Sequence, residues 1–462
     1  MKSIPYDVYA ARIEQINTIR KSGRVVQIIG LVIESAGPAG SIGDLCYIEN
    51  PESGERIRAE IAGFRDNRIL LMPLGTTTGI TPGSIVISTG EQLRVPVGDQ
   101  LIGRVLGGLG QPIDGLGPLL CSRSRTVDSA PIHALKRRRI TEPVRTGIKA
   151  IDIMNACGKG QRMGIFAGSG VGKSVLLGMI ARGSSADVNV IALVGERGRE
   201  VREFIEKDLG PQGLKKSVVV AVTSDHPALI RIKGAHVATA IAEYFRDQGM
   251  DVVLLMDSLT RIAAAQREVG LAVGEPPATK GYTPSVFAML PRLLERAGTN
   301  DKGSITGLYT VLVEGDDFNE PISDAVRAIL DGHISLSRKM ATFNLYPAVD
   351  SLDSISRLMV DVCTPEHLRL AARTREIVAT YRDAEDLINV GAYVKGSSAK
   401  IDEAISKIDK INQFFRQDIK ELCQFDQALE QLAAIVNSEQ ESSEGREKVP
   451  LQTSKNSAIK NS

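Results

Sequence analysis

The chain of 462 residues contains no tryptophan, and aromatic residues make up only 4% of it. A groove for single-stranded nucleic acid needs aromatic faces on which bases stack, so this scarcity works against one. Neither sign of charge is in excess: Lys+Arg number 56 and Asp+Glu 55, without the imbalance that marks a nucleic-acid or membrane binder. Five cysteines, at 46, 121, 157, 363 and 423, are scattered and form no C-x-x-C pair. That argues against a zinc site or a disulfide framework and suits a reducing cytoplasm. No uncharged run approaches membrane-spanning length, and the first residues lack an apolar core with a cleavage site. Work at a membrane would require recruitment to it.

What the chain does have is a phosphate-binding loop. The apolar run Met163–Phe166 leads through Ala167 into Gly168, Ser169, Gly170, Val171, Gly172, Lys173 and Ser174, and Val175 opens a helical pattern. Glycines let backbone N–H groups turn toward a polyphosphate, and the following helix directs its positive end at it. Lys173 adds a point charge and Ser174 a ligand for Mg2+. The first glycine of the usual G-x-x-x-x-G-K-[ST] pattern is replaced by Ala167. Alanine is tolerated there if its φ is negative.

Around this loop the chain divides into five segments. In residues 1–23, Tyr6, Tyr9, Ile13 and Ile16 recur at steps of three and four after Pro5, as in an amphipathic helix that either packs on its own domain or docks a partner. Residues 24–93 carry short β-rich runs separated by turns such as Gly37-Pro38 and Pro82-Gly83, the pattern of a small antiparallel barrel. Only Tyr47 and Phe64 are available on it for stacking, so its role reads as structural. Residues 94–350 begin with a glycine- and proline-rich connector holding the basic run Lys136-Arg137-Arg138-Arg139. That run is short and lacks aromatic neighbours, and no nucleic acid is expected on it. From Gly147 onward, β-like runs alternate with helical patterns around 174–182, 199–208, 235–248 and 285–297, as in a parallel sheet with helices on both faces. Residues 351–437 read as helical. Three apolar stripes run through Ile377, Tyr381, Ala384 and Ile388; through Ile401, Ile405, Ile408 and Phe415; and through Ile419, Leu422, Leu429, Leu432 and Val436. The Ser/Glu/Lys/Asn-rich segment 438–462 has too few apolar residues to build a core and is expected to be disordered.

Hydrolysis needs groups beyond the loop. Asp257 ends the buried-strand pattern Val252–Met256 and would hold Mg2+ opposite Ser174. Glu196 follows the strand pattern Val190–Gly195. A strand end beside the loop's own strand would present this carboxylate to the γ-phosphate, where it would orient and deprotonate water. Arg338, after Ile334–Ser337, is the candidate for an arginine on the transferring phosphate. If it cannot reach its own loop it must serve a neighbour's, which requires a ring. Tyr346 reads either as a core aromatic or as a stacking platform for adenine.

Taken together, Ala167–Ser174, Gly195–Val201, Met256–Arg261, Gly274–Tyr282, Glu314–Pro321 and Asp331–Arg338 resemble the type III secretion ATPases. Through Val26–Ser35 and Ile42–Cys46 the chain is most similar to the flagellar export ATPases, with the likeness running from about residue 24 to 430. That family is related to the catalytic subunits of rotary ATP synthases. The resemblance implies a β-barrel, a RecA-like P-loop nucleotide domain and a C-terminal helical domain, assembled as a homohexamer with ATP and Mg2+ between subunits. It implies Glu196 as catalytic carboxylate, Arg338 as the finger reaching a neighbour's nucleotide, and Tyr346 at the adenine. It also implies a stator-like regulatory protein on the N-terminal helix, and a central stalk protein near the loop Val390–Ser397. Export chaperones, their substrates and an export gate are the further partners, reached at the inner face of the cytoplasmic membrane. The rival expectations are a virulence injectisome as the customer, an RNA-translocating hexamer like the terminator Rho, and a non-catalytic ring subunit. Retention of Lys173, Glu196 and Asp257 together speaks against the last.

Overall fold

The computed structural model describes residues 21–51, 53–313, 317 and 320–438. The helix expected over 1–23 therefore lies outside the described residues except at its end, where Ser22 and Gly23 already belong to a strand. The segment expected to be disordered lies outside them from residue 439.

Six strands close the barrel: β1 (Ser22–Ile29), β2 (Val32–Ala36), β3 (Asp44–Glu49), β4 (Arg56–Arg65), β5 (Arg68–Pro73) and β6 (Ile85–Gln92), in the order β1-β2-β5-β4-β3-β6. Alternate residues point inward and pack as one core, including Val25, Ile33, Cys46, Ile48, Ile61, Leu71 and Val86. Closure leaves no unpaired edge for aggregation.

The nucleotide domain holds a second sheet. Its strands are β7 (Val105–Leu106), β8 (Arg162–Ala167), β9 (Val188–Glu196), β10 (Ser217–Thr223), β11 (Asp251–Asp257), β12 (Ser304–Leu312), β13 (Gly332–Leu336) and β14 (Val349–Ser356). They lie in the order β14-β13-β8-β12-β11-β9-β10-β7, with Gly298–Thr299 paired on β12. All neighbours in that order run parallel except β13 and β14. The helices used below are α1 (Lys173–Gly183), α2 (Ala228–Asp247), α3 (Leu259–Val273), α4 (Pro284–Leu294), α5 (Arg338–Thr342), α6 (Pro365–Asn389), α7 (Ala399–Phe415) and α8 (Phe425–Asn437). Both sheet faces are covered, because β9 sends Val190, Ala192 and Val194 into one core with Ile241 and Leu290. Its Ile191 and Leu193 enter another with Leu176 and Ile180 of α1.

The glycine-rich connector is more ordered than a linker. Arg94–Val97 pairs antiparallel with Arg123–Thr126, and β7 adds a parallel strand to the edge of the sheet beside β10. Three residues of its basic run are paired within the chain. Arg137 donates to Ala297 O at 2.8 Å and pairs with Glu295, Arg138 Nε donates to Asn300 O at 2.7 Å, and Arg139 pairs with Asp361 at 2.9 Å.

A buried ion cluster joins barrel to nucleotide domain. Lys233 of α2, 5% exposed, lies 2.7 Å from Glu60 of β4 and 2.7 Å from Asp128, whose other oxygen contacts His236 at 2.5 Å. Removing one member of a buried pair leaves uncompensated charge. Lys233→Met should therefore lower stability by about 3 kcal/mol, read from the urea midpoint at constant slope.

The sheet continues through Ser356, past the expected start of the helical segment at 351. Beyond it, α6, α7 and α8 share a core of Ala371, Ile377, Ala404, Ile411, Phe414 and Leu432, which Ile153 and Met154 join from the nucleotide domain. The third apolar stripe does not lie on one helix. The helix α7 stops at Phe415, Arg416 turns to extended backbone, and α8 starts only at Phe425. Ile419 and Leu422 lie in the intervening loop, 50% and 59% exposed. Among the described residues no helix is long and apolar enough to cross a membrane.

Candidate active site

Strand β8 ends at Ala167, which pairs with Leu312 and Leu336 in extended backbone and is 1% exposed. No left-handed φ is needed there, so alanine serves as well as glycine. The turn proper uses Gly170 (φ 79) and Gly172 (φ 90), a region that side chains rarely adopt. Gly172 precedes α1, and no side chain caps that helix. The first N–H groups of α1 are thereby left for phosphate oxygens.

Three groups meet beside this turn, at the carboxyl edge of the sheet where α/β folds bind ligands. The Lys173 ammonium contacts Asp257 Oδ1 closely and lies 3.7 Å from Glu196 Oε1. Thr310 Oγ1 of β12 donates to the same Asp257 oxygen at 2.7 Å. All three charged side chains are nearly buried, with 4–11% exposed, which strengthens their mutual attraction.

The route by which Glu196 arrives differs from expectation. Its strand β9 is not a neighbour of β8, because β12 and β11 lie between them. Lys173 closes the gap by reaching across β12 toward the end of β11. Glu196 itself is held from behind. Arg261, on the first turn of α3 and four residues past Asp257, donates from Nη1 to Gly195 O at 2.7 Å and from Nη2 to Glu196 Oε2 at 3.1 Å. Gly195 has φ 74, and a Cβ on it would come within 3.0 Å of the Arg261 side chain. Arg261 and Thr310 were not among the candidate residues. The spacing of Arg261 from Asp257, one helical turn beyond a strand end, was the available signal.

Burial is the main cause that pushes the Glu196 carboxyl up to about 7, followed by the hydrogen bond to Glu200 and the charge of Asp257. Lys173 and Arg261 oppose it. Glu200, accepting from Glu196, is held below its ordinary range. A carboxyl raised to about 7 titrates near neutrality, the range in which a general base works.

Magnesium fits the donor set. Among the described residues no cluster of three His, Cys, Asp or Glu could hold a metal alone. Ser174, exposed on the first turn of α1, and Asp257 supply hard oxygen donors beside the phosphate loop. One or two protein oxygens completed by phosphates and water is the usual provision for Mg2+.

The remaining candidates come from β13 and the chain after it. Arg338 opens α5 just past β13, the other neighbour of β8, and is exposed. Tyr346, 38% exposed, lies against the end of the loop: a Cβ on Gly172 would be 3.4 Å from its ring.

Three family models match the chain in order. These are the ATP synthase alpha/beta family β-barrel domain over residues 25–90, the ATP synthase alpha/beta family nucleotide-binding domain over 147–356, and the T3SS EscN ATPase C-terminal domain over 363–434. The flagellum-specific ATP synthase of Bacillus subtilis is 56% identical, covering 93% of this chain and 98% of the relative. The type 3 secretion system ATPase of Xanthomonas euvesicatoria is 49% identical, over 90% and 95%. The assembled ATPase EscN of enteropathogenic E. coli superposes with a TM-score of 0.84 at 46% identity, covering 90% of this chain and all of that one. EscN in complex with its central stalk EscO matches with a TM-score of 0.83, over the same shares of the two chains. Barrel, nucleotide domain and helical domain therefore agree with one set of relatives throughout, and the chain belongs to the family of flagellum-specific and type III secretion ATPases, enzymes that hydrolyse ATP for type III export.

Proposed function

We propose that the chain is the Mg2+-dependent ATPase of flagellar protein export, working as a homohexameric ring. The observation that carries the catalytic part is the convergence of Lys173, Asp257 and Glu196 beside the phosphate loop. Lys173 and the N-terminus of α1 bind the β- and γ-phosphates of ATP. Ser174 and Asp257 would hold Mg2+ with the nucleotide, where it would offset phosphate charge. Glu196, steadied by Arg261, orients the attacking water and accepts its proton. Tyr346 stacks on adenine.

Arg338 completes the site of the adjacent subunit. Its exposure at the carboxyl end of β13 supports this role, as does the assembled state in which EscN was solved. The stalk complex of EscN supports a central stalk partner here as well, met by the loop between α6 and α7, where Val390 and Val394 are 76% and 71% exposed. A stator-like protein on the N-terminal segment 1–23, export chaperones with their cargo, and a membrane export gate complete the arrangement. The ring then works peripherally at the cytoplasmic membrane.

The higher identity to a flagellum-specific relative favours the flagellum over an injectisome. Deleting the gene tests that choice. Loss of filaments, restored by the wild-type gene and not by Lys173→Ala, is the expected result; intact filaments with lost effector secretion would assign the chain to an injectisome.

A further inference from the structure

The loop between α7 and α8 contains Gln417, 3% exposed and bonded through every polar atom of its amide. Its Oε1 accepts from Lys149 N at 3.0 Å, and its Nε2 donates to Gly147 O at 2.7 Å and to Glu421 O at 3.0 Å. Its backbone N–H donates to Tyr346 O at 2.9 Å. One residue of the helical domain is therefore tied both to the start of the nucleotide domain and to the residue that faces Gly172.

The rest of the loop grips the far end of the same helix. Arg182 of α1 donates to Ile419 O at 2.5 Å, a Cβ on Gly183 would meet the Leu422 side chain at 3.6 Å, and Lys149 pairs with Glu421 at 2.6 Å. Tyr346 lies at the beginning of α1 and this loop at its end. Buried amides bonded at both ends fix position, because any displacement leaves polar groups unpaired.

We propose that Gln417 is a positioning residue that sets the Tyr346 platform against the phosphate loop, and so sets the affinity for the adenine base. This rests on the reading of Tyr346 as the adenine platform. Gln417 acts through the main chain of Tyr346 and touches neither the phosphates nor the reacting water. Its loss should therefore raise KM for ATP with little change in kcat, which is the mark of lost uniform binding.

The test compares Gln417→Met, an unbranched side chain of similar length without the amide, with Tyr346→Ala in the full-length chain. KM for ATP, kcat and the inhibition constant of inorganic tripolyphosphate, which has no base, are measured for each. Gln417→Met loses the three amide bonds that anchor the residue and keeps its main-chain bond to Tyr346; it should raise KM for ATP about fivefold and leave tripolyphosphate inhibition unchanged. Gln417→Asn carries the same test if the methionine variant does not fold, because it keeps a neutral amide in the buried site and is one methylene too short to make all three bonds. A rise in both constants would overturn the proposal by showing a general disturbance of the loop. An unchanged KM, in a background where Tyr346→Ala raises it, would overturn it as well. If Tyr346→Ala itself leaves KM unchanged, the adenine platform falls first, and the role of Gln417 with it.

Discussion

Lys173→Ala abolishes ATP turnover, with a loss of about 10³-fold or more expected in phosphate-release assays. The residue pairs with both Asp257 and Glu196; Glu196 keeps Arg261 at 3.1 Å, and among the described residues Asp257 has no second ion pair. On the proposed mechanism the same ammonium would neutralise phosphate charge that grows in the transition state. Its removal leaves two nearly buried carboxylates facing a polyanion. Nucleotide affinity should fall together with the rate, and equilibrium binding of a fluorescent ATP analogue measures that part. Turnover within tenfold of wild type would remove Lys173 from the chemistry.

Glu196→Gln separates binding from hydrolysis. The amide keeps the shape of the carboxylate and can still meet Arg261, but it cannot accept a proton from water. Turnover should drop about 10³-fold, with ATP affinity within a few-fold of wild type. The pH dependence has a definite sign. The carboxyl is raised from an ordinary value of 4.5 to about 7, so its base form appears only as pH rises through about 7. In wild type kcat/KM should climb through that range, and in the variant the residual rate should lack this step. Stability follows the opposite course. Between pH 4.5 and about 7 the folded state holds a proton that the unfolded chain has released, so the contribution of Glu196 is present at low pH and lost as pH rises. The variant has no such proton to lose, and its Tm advantage over wild type should widen from pH 5 to pH 8.

How much of this was legible beforehand can be followed residue by residue. Turn chemistry is local, so Gly170, Gly172 and Lys173 announced the phosphate loop. The parallel strands were equally plain, because a strand covered on both faces reads as an unbroken apolar run; Val190–Val194 and Val252–Met256 are such runs. Strand order was not legible, because nothing within β8 or β9 records that β11 and β12 lie between them. The strand β7, inside the segment read as a connector, was missed for a different reason. It has two residues, so its strand character comes from neighbours supplied by distant sequence. The loop after α7 misled through its spacing. Ile419 and Leu422 continue a helical period, yet the chain leaves the helix at Arg416, and the buried residue of the loop is the polar Gln417. Periodicity reports burial driven by apolar area and is blind to burial driven by hydrogen bonds.

The central claim is that the site is completed between chains, by Lys173 and Glu196 from one subunit and Arg338 from the next. Mixing inactive variants tests it most directly. Arg338→Ala and Lys173→Ala subunits, each inactive alone, are unfolded or dissociated, combined in equal amounts and reassembled. In a head-to-tail ring about one quarter of interfaces then join an intact phosphate loop to an intact arginine. ATPase activity should return to about that fraction of the wild-type rate and vary with mixing ratio, with a maximum at equal amounts. Mixed rings that assemble and stay inactive at every ratio would show that Arg338 does not act across the interface.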